Sequence, residues 1–129
     1  MKNKARLFIA LSAFITFLWD NQLAFSQKSE NKVEGSWYAE EMDKSSIKIY
    51  KENEAWFARI IKSHNPKVVG KIIFVKGTYD PASQEYVGIL INPENGMEVN
   101  ATIHLKNDKT LMVVGKKLFF TKTFYWKKE

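Results

Sequence analysis

From residue 35 to the end of the chain, apolar and polar positions alternate with a period of two. Turn residues interrupt the alternation roughly every eight to twelve positions. Residues 46–50 set Ile47 and Ile49 against Lys48, and residues 55–61 contain the aromatic and β-branched run Trp56-Phe57-Ala58-Arg59-Ile60-Ile61. His64-Asn65-Pro66 marks a turn. Residues 71–76 then carry Ile72-Ile73-Phe74-Val75. Asp80-Pro81 breaks the chain before Tyr86-Val87-Gly88-Ile89-Leu90-Ile91. The cleanest alternation lies in 98–105, where Val99, Ala101, Ile103 and Leu105 share one face and Asn100, Thr102 and His104 the other. Asn95-Gly96 is a hairpin signal. Asn107-Asp108 turns the chain into 110–115, and 118–126 completes the series.

This pattern predicts an all-β domain of about eight strands. A small antiparallel up-and-down β-barrel is the simplest arrangement, because consecutive hairpins need no crossover and closure removes exposed strand edges. A sandwich satisfies the same pattern. The aromatic content of 14% suits a barrel filled or lined by large rings.

The first 26 residues have a different grammar. Lys2, Lys4 and Arg6 precede an apolar run from Leu7 to Trp19, and Ala24-Phe25-Ser26 supplies a small-x-small cleavage pattern. These features predict a secretory signal peptide over 1–26, removed before Gln27. The apolar run is short for a membrane span, which takes about 20 residues. No cysteine adjoins the cleavage site to carry a lipid anchor. Residues 27–34 read as a loose polar segment and 35–129 as a single domain, large enough to support its own core. The expected location is the periplasm of a Gram-negative bacterium or the medium.

Composition narrows the chemistry. Absence of cysteine excludes disulfides and thiolate chemistry. Loss of the leader lowers the formal charge from +6 to +4, and the remaining charges alternate in sign without the concentrated stripe that nucleic acid requires.

Several short motifs together resemble a bacterial exported family of unknown function, DUF2147, which is lipocalin-like. They are Gly35-x-Trp37, Ile47-x-Ile49-Tyr50, Arg59-Ile60, Gly70 before an apolar strand, Leu111-x-Val113-x-Gly115 and Trp126-x-Lys128. The most specific is Gly88-x-Leu90-x-Asn92-Pro93-Glu94-Asn95-Gly96, similar to the family's Gly-x-Ile-x-Asp-Pro-x-x-Gly hairpin. Asn92 stands where that family commonly has Asp, Val99 where it has an aromatic residue, and Lys128 where it has Arg. The resemblance implies an exported calycin-type barrel. It also implies structural roles for Gly35, Trp37, Asn92, Pro93, Gly96, Gly115, Trp126 and Lys128, with Lys128 covering the Trp37 indole through a cation–π contact.

No catalytic constellation emerges. His64 and His104 are not clustered with acids as zinc requires. Glu40, Glu41 and Asp43 fall in one turn, and no nucleophile elbow or phosphate loop is present. The expected function is therefore a non-enzymatic module of the cell envelope, without cofactor or metal, holding a small hydrophobic or amphipathic ligand. The alternative is a scaffold for protein interactions with a barrel filled by side chains. Candidate ligand-lining residues are Tyr38, Trp56, Arg59, Tyr86, Lys122 and Phe124. Arg59 and Lys122 sit within apolar strands and face either a ligand or solvent; the period-two pattern favours solvent. No nucleic-acid partner and no stable membrane insertion after cleavage are expected. Oligomeric state is not encoded in any motif.

Overall fold

The computed structural model describes residues 29–129. The barrel unit is Lys32–Glu129, and of the unit Met1–Asn31 only residues 29–31 are described. The expected leader over 1–26 therefore lies outside the described residues.

Eight antiparallel strands follow one another around a closed barrel: β1 (Gly35–Ala39), β2 (Ser45–Glu52), β3 (Ala55–Lys62), β4 (Ile72–Asp80), β5 (Glu85–Ile91), β6 (Glu98–Asn107), β7 (Thr110–Lys117) and β8 (Phe120–Lys128). Closure is made by Trp37 opposite Lys128 and Tyr38 opposite Lys127, which pairs β8 with β1. This is the up-and-down barrel that the alternation predicts, and the sandwich is excluded.

Burial obeys the period of two. Ile47 and Ile49 on β2, Trp56, Ala58 and Ile60 on β3, and Leu111 and Val113 on β7 are all buried. Their sequence neighbours Lys48, Arg59 and Met112 are not. Register carries the inward face from strand to strand, through Tyr86 opposite Ile103, Ile103 opposite Val113 and Val113 opposite Phe124. Register shifts interrupt β3–β4 and β4–β5. There Phe74 points into the core, and Gly77 and Gly88 leave room for its ring. A methyl group at either glycine would lie within 2.8 Å of that ring.

One local expectation changes and another is met. Part of the segment expected to be loose forms a 3-10 turn over Asn31–Val33. Val33 is 1% exposed, and its carbonyl accepts the Trp37 indole N–H at 2.8 Å, so it belongs to the core. The Asn95-Gly96 signal falls, as expected, in a hairpin connection, between β5 and β6. The β5–β6 connection spans residues 92–97, closed by Asn92 N–H donating to the Met97 carbonyl at 2.8 Å. The Asn92 side chain accepts from the backbone N–H of Glu94 and Asn95, which nucleates a longer loop. Gly96 supplies the left-handed φ of 75°.

Candidate functional site

The interior is filled in one half and open in the other. In the filled half, Trp56 packs edge-on against Tyr86 with ring centroids 5.4 Å apart, and Tyr79 leans on Tyr86 at 4.9 Å. Trp37, Trp126, Leu111 and Phe74 are each at most 1% exposed and complete the packing.

One row of cross-strand partners runs from the filled half to the other, and of its members Gly115 and Lys122 line the open space. Gly88, Ala101, Gly115 and Lys122 are successive cross-strand partners on β5 to β8. Between the packed rings and the loops at this end lies a cavity of about 760 Å³. Ile60, Val68, Leu90, Val99 and Phe124 form its apolar wall, with Met42, Met97, Leu118 and Phe120 at its mouth. Methionine is a pliant lining that can repack around differently shaped guests.

The connections 40–44, 63–71, 92–97 and 118–119 surround the mouth. Ser45, fully buried, ties two of them together: its hydroxyl donates to the Met42 carbonyl and lies 2.8 Å from the Ser63 hydroxyl. Lys71 donates to the Pro93 carbonyl at 2.8 Å and links the 92–97 loop to the base of β4. Charge around the mouth is divided. Lys117 and Lys122 come from the β7–β8 hairpin, whereas Glu41, Asp43 and Glu94 come from the 40–44 and 92–97 loops. Lys122 extends across the Phe124 ring, its ammonium 4.9 Å from the centroid, so a cation stands beside an apolar wall. Such a site has the chemistry to take an elongated apolar body with a polar or anionic end.

A second, shallower hollow of about 460 Å³ lies on the outer side of the same hairpin, among Ile89, Asn100, Lys116 and Leu118. Among the described residues, no three His, Cys, Asp or Glu side chains converge as a metal site.

A family model described as an uncharacterized protein conserved in bacteria, DUF2147, matches residues 35–128. The chain belongs to this family. No curated protein matches it. Among solved structures, it is similar to protein HP1028 from the human pathogen Helicobacter pylori, described as belonging to the lipocalin family. The TM-score is 0.61 at 16% identity, covering 75% of this chain and 82% of that one. The likeness is one of fold.

In this DUF2147 barrel the six candidate ligand-lining residues separate into three pairs. Lys122 and Phe124 line the cavity. Trp56 and Tyr86 are buried against each other in the filled half. Tyr38 and Arg59 stand on the outer face, where Arg59 directs its guanidinium 3.5 Å from the Gly70 carbonyl. Arg59 thus follows the solvent-facing phase that period two favours, whereas Lys122 occupies the inward phase shared with Phe124 and Trp126.

Among the signature residues, Asn92, Pro93 and Gly115 line the cavity, while Gly96 shapes the 92–97 loop. Gly35 has a φ of 133° at the start of β1. The expected cover of Trp37 by Lys128 is not formed. The two residues are backbone partners, but the Lys128 side chain is exposed and the indole is engaged by Val33 instead. The cation–π pairs among the described residues are Lys51 with Trp56, Lys106 with Tyr125 and Lys122 with Phe124.

Met42, Val68 and Met97 lie in connections, where no periodicity points them inward, and sequence reasoning missed them. Phe120 was legible in principle, since it shares the phase of Lys122 and Phe124.

Proposed function

We propose that this protein is an exported binding module of the cell envelope that holds one small apolar or amphipathic molecule in its mouth cavity, without covalent chemistry. The observation that carries the reading is the cavity itself. Its volume of about 760 Å³ falls within the range of small-molecule pockets, and its wall is mainly apolar with two lysines at one side. An eight-stranded barrel is of a size to hold one small ligand, as lipocalins do. The leader-like pattern of residues 1–26 supports export.

The test is native mass spectrometry of the protein isolated gently from its own host, followed by denaturation and extraction. A small molecule bound in stoichiometric amount and released on denaturation is the expected result. Replacing Gly115 with leucine should reduce occupancy, because the new side chain enters the cavity between Val99 and Leu90. An unliganded mass together with no uptake of an added apolar fluorescent probe sinks the carrier reading.

A further inference from the structure

We propose that the β7–β8 hairpin tip docks the barrel, mouth first, onto an anionic lipid bilayer. Leu118, Phe119 and Phe120 are 91%, 98% and 82% exposed. Single exposed apolar residues are ordinary on a protein surface, but three consecutive large ones mark a contact surface. The backbone adds an independent observation. Leu118 has a φ of 53° at the first of the two residues linking β7 to β8. That position favours glycine in a tight hairpin, and a branched side chain there is disfavoured. The left-handed leucine opposes folding and the exposed rings add nothing to it, so the tip's composition points to a role outside the fold.

Charge identifies the occupant. Lys116 and Lys117 precede the tip and Lys122 follows it. All three are exposed, and none forms an ion pair among the described residues. An apolar tip bordered by ammonium groups complements a bilayer with anionic headgroups. The rings enter the acyl boundary while the lysine stems reach back to the phosphates. A second copy of this chain would instead bring its own lysines against these.

Met97 and Val69, also exposed, stand on other connections at the mouth end. The acids Glu41, Asp43 and Glu94 lie on the 40–44 and 92–97 loops, so approach is led by the β7–β8 side. Because Leu118, Phe120 and Lys117 also line the cavity, docking turns the cavity mouth toward lipid. The docking itself does not depend on what the cavity holds.

Absence of cysteine allows the tip to be read alone. The protein is isolated from cells expressing the full chain with Phe119→Cys, labelled with an environment-sensitive nitrobenzoxadiazole dye. It is mixed with vesicles of phosphatidylethanolamine and phosphatidylglycerol, or of phosphatidylcholine alone. Asp108→Cys, in the β6–β7 turn at the opposite end of the barrel, is the control position.

The expected result is a blue-shifted, brightened emission at position 119 only, and only with the anionic vesicles. Each lysine near such a surface contributes about fivefold to partitioning, the equivalent of about 1 kcal/mol. Lys116→Glu with Lys117→Glu should therefore weaken it by at least about 25-fold. Leu118→Gly with Phe119→Asn supplies favoured turn residues, keeps the barrel folded, and should lower vesicle flotation by at least about tenfold. An unshifted label, equal response to neutral vesicles, or full flotation of the Gly-Asn variant overturns the proposal. A label shielded without vesicles by concentration-dependent dimerisation also overturns it and assigns the tip to a second copy.

Discussion

Gly88 lies beneath the Phe74 ring with no space for a methyl group. A Cβ at this position would sit 2.6 Å from the Val75 carbonyl oxygen and 2.6 Å from Phe74 Cζ, where ordinary contacts begin at 3.4 Å. Phe74 is 1% exposed and is held between β3 and β5, opposite Ala58 and Leu90, so its ring has little freedom to retreat. The backbone oxygen can move only if β4 separates from β5. Gly88→Ala should therefore cost about 3 kcal/mol, at the upper end for an overpacked core. Without the clash the sign would reverse, since alanine restricts the unfolded chain and stabilises by about 0.4–1 kcal/mol.

Urea unfolding followed by fluorescence of the buried tryptophans measures the difference. With a denaturant slope of about 1.5 kcal/mol/M, the midpoint should fall by about 2 M. Adding Phe74→Leu should recover part of the loss, because one of the two clashes is removed, giving a coupling energy of about 1 kcal/mol in the double-mutant cycle. An unchanged or higher midpoint for Gly88→Ala would refute the tight packing between β4 and β5.

Two tryptophans offer a matched comparison. The Trp37 indole donates to Val33, whereas the buried Trp126 indole N–H has no hydrogen-bond partner among the described residues. Phenylalanine at position 37 should consequently cost about 1–3 kcal/mol more than phenylalanine at position 126, beyond the loss of ring volume common to both; equal thermal shifts would contradict this. Ser45→Ala should destabilise by about 1–2 kcal/mol, since it strips a buried hydroxyl from the Met42 carbonyl and loosens two mouth connections. Hydrogen exchange should rise in the 40–44 and 63–71 loops and not in β6. The Leu118→Gly, Phe119→Asn hairpin should melt at the same temperature as the parent or higher, by up to about 1 kcal/mol, because its left-handed residue is relieved. A lower melting temperature would mean that the apolar tip stabilises the fold.

Much of the barrel was readable from local information. Period two in 46–50, 55–61 and 98–105 assigned their inward faces, and burial of Ile47, Ala58 and Ile103 follows that phase. Phase alone is a strand property, set by the pleat, and needs no knowledge of neighbours. It also put Arg59 outside. The family resemblance, not phase, misplaced Lys128, whose flexible side chain at the end of β8 reaches solvent. Phase was silent on residues 31–33, where Val33 is buried in the core and accepts the Trp37 indole N–H.

Strands, their inward faces and the family follow from alternation and turn chemistry, which are encoded within a few consecutive residues. The division of the interior into a half packed with rings and an open half arises on folding. That outcome depends on which residues meet across strands: Gly88 is filled by the Phe74 ring, whereas Gly115 leaves space beside Leu90 and Val99, and these neighbours are set only by register. Closure likewise gathers Met42, Val68, Met97 and Phe120 around one mouth, from four connections and strand ends with no common periodicity. A cavity is a property of distances between elements, and those distances do not exist until the barrel closes.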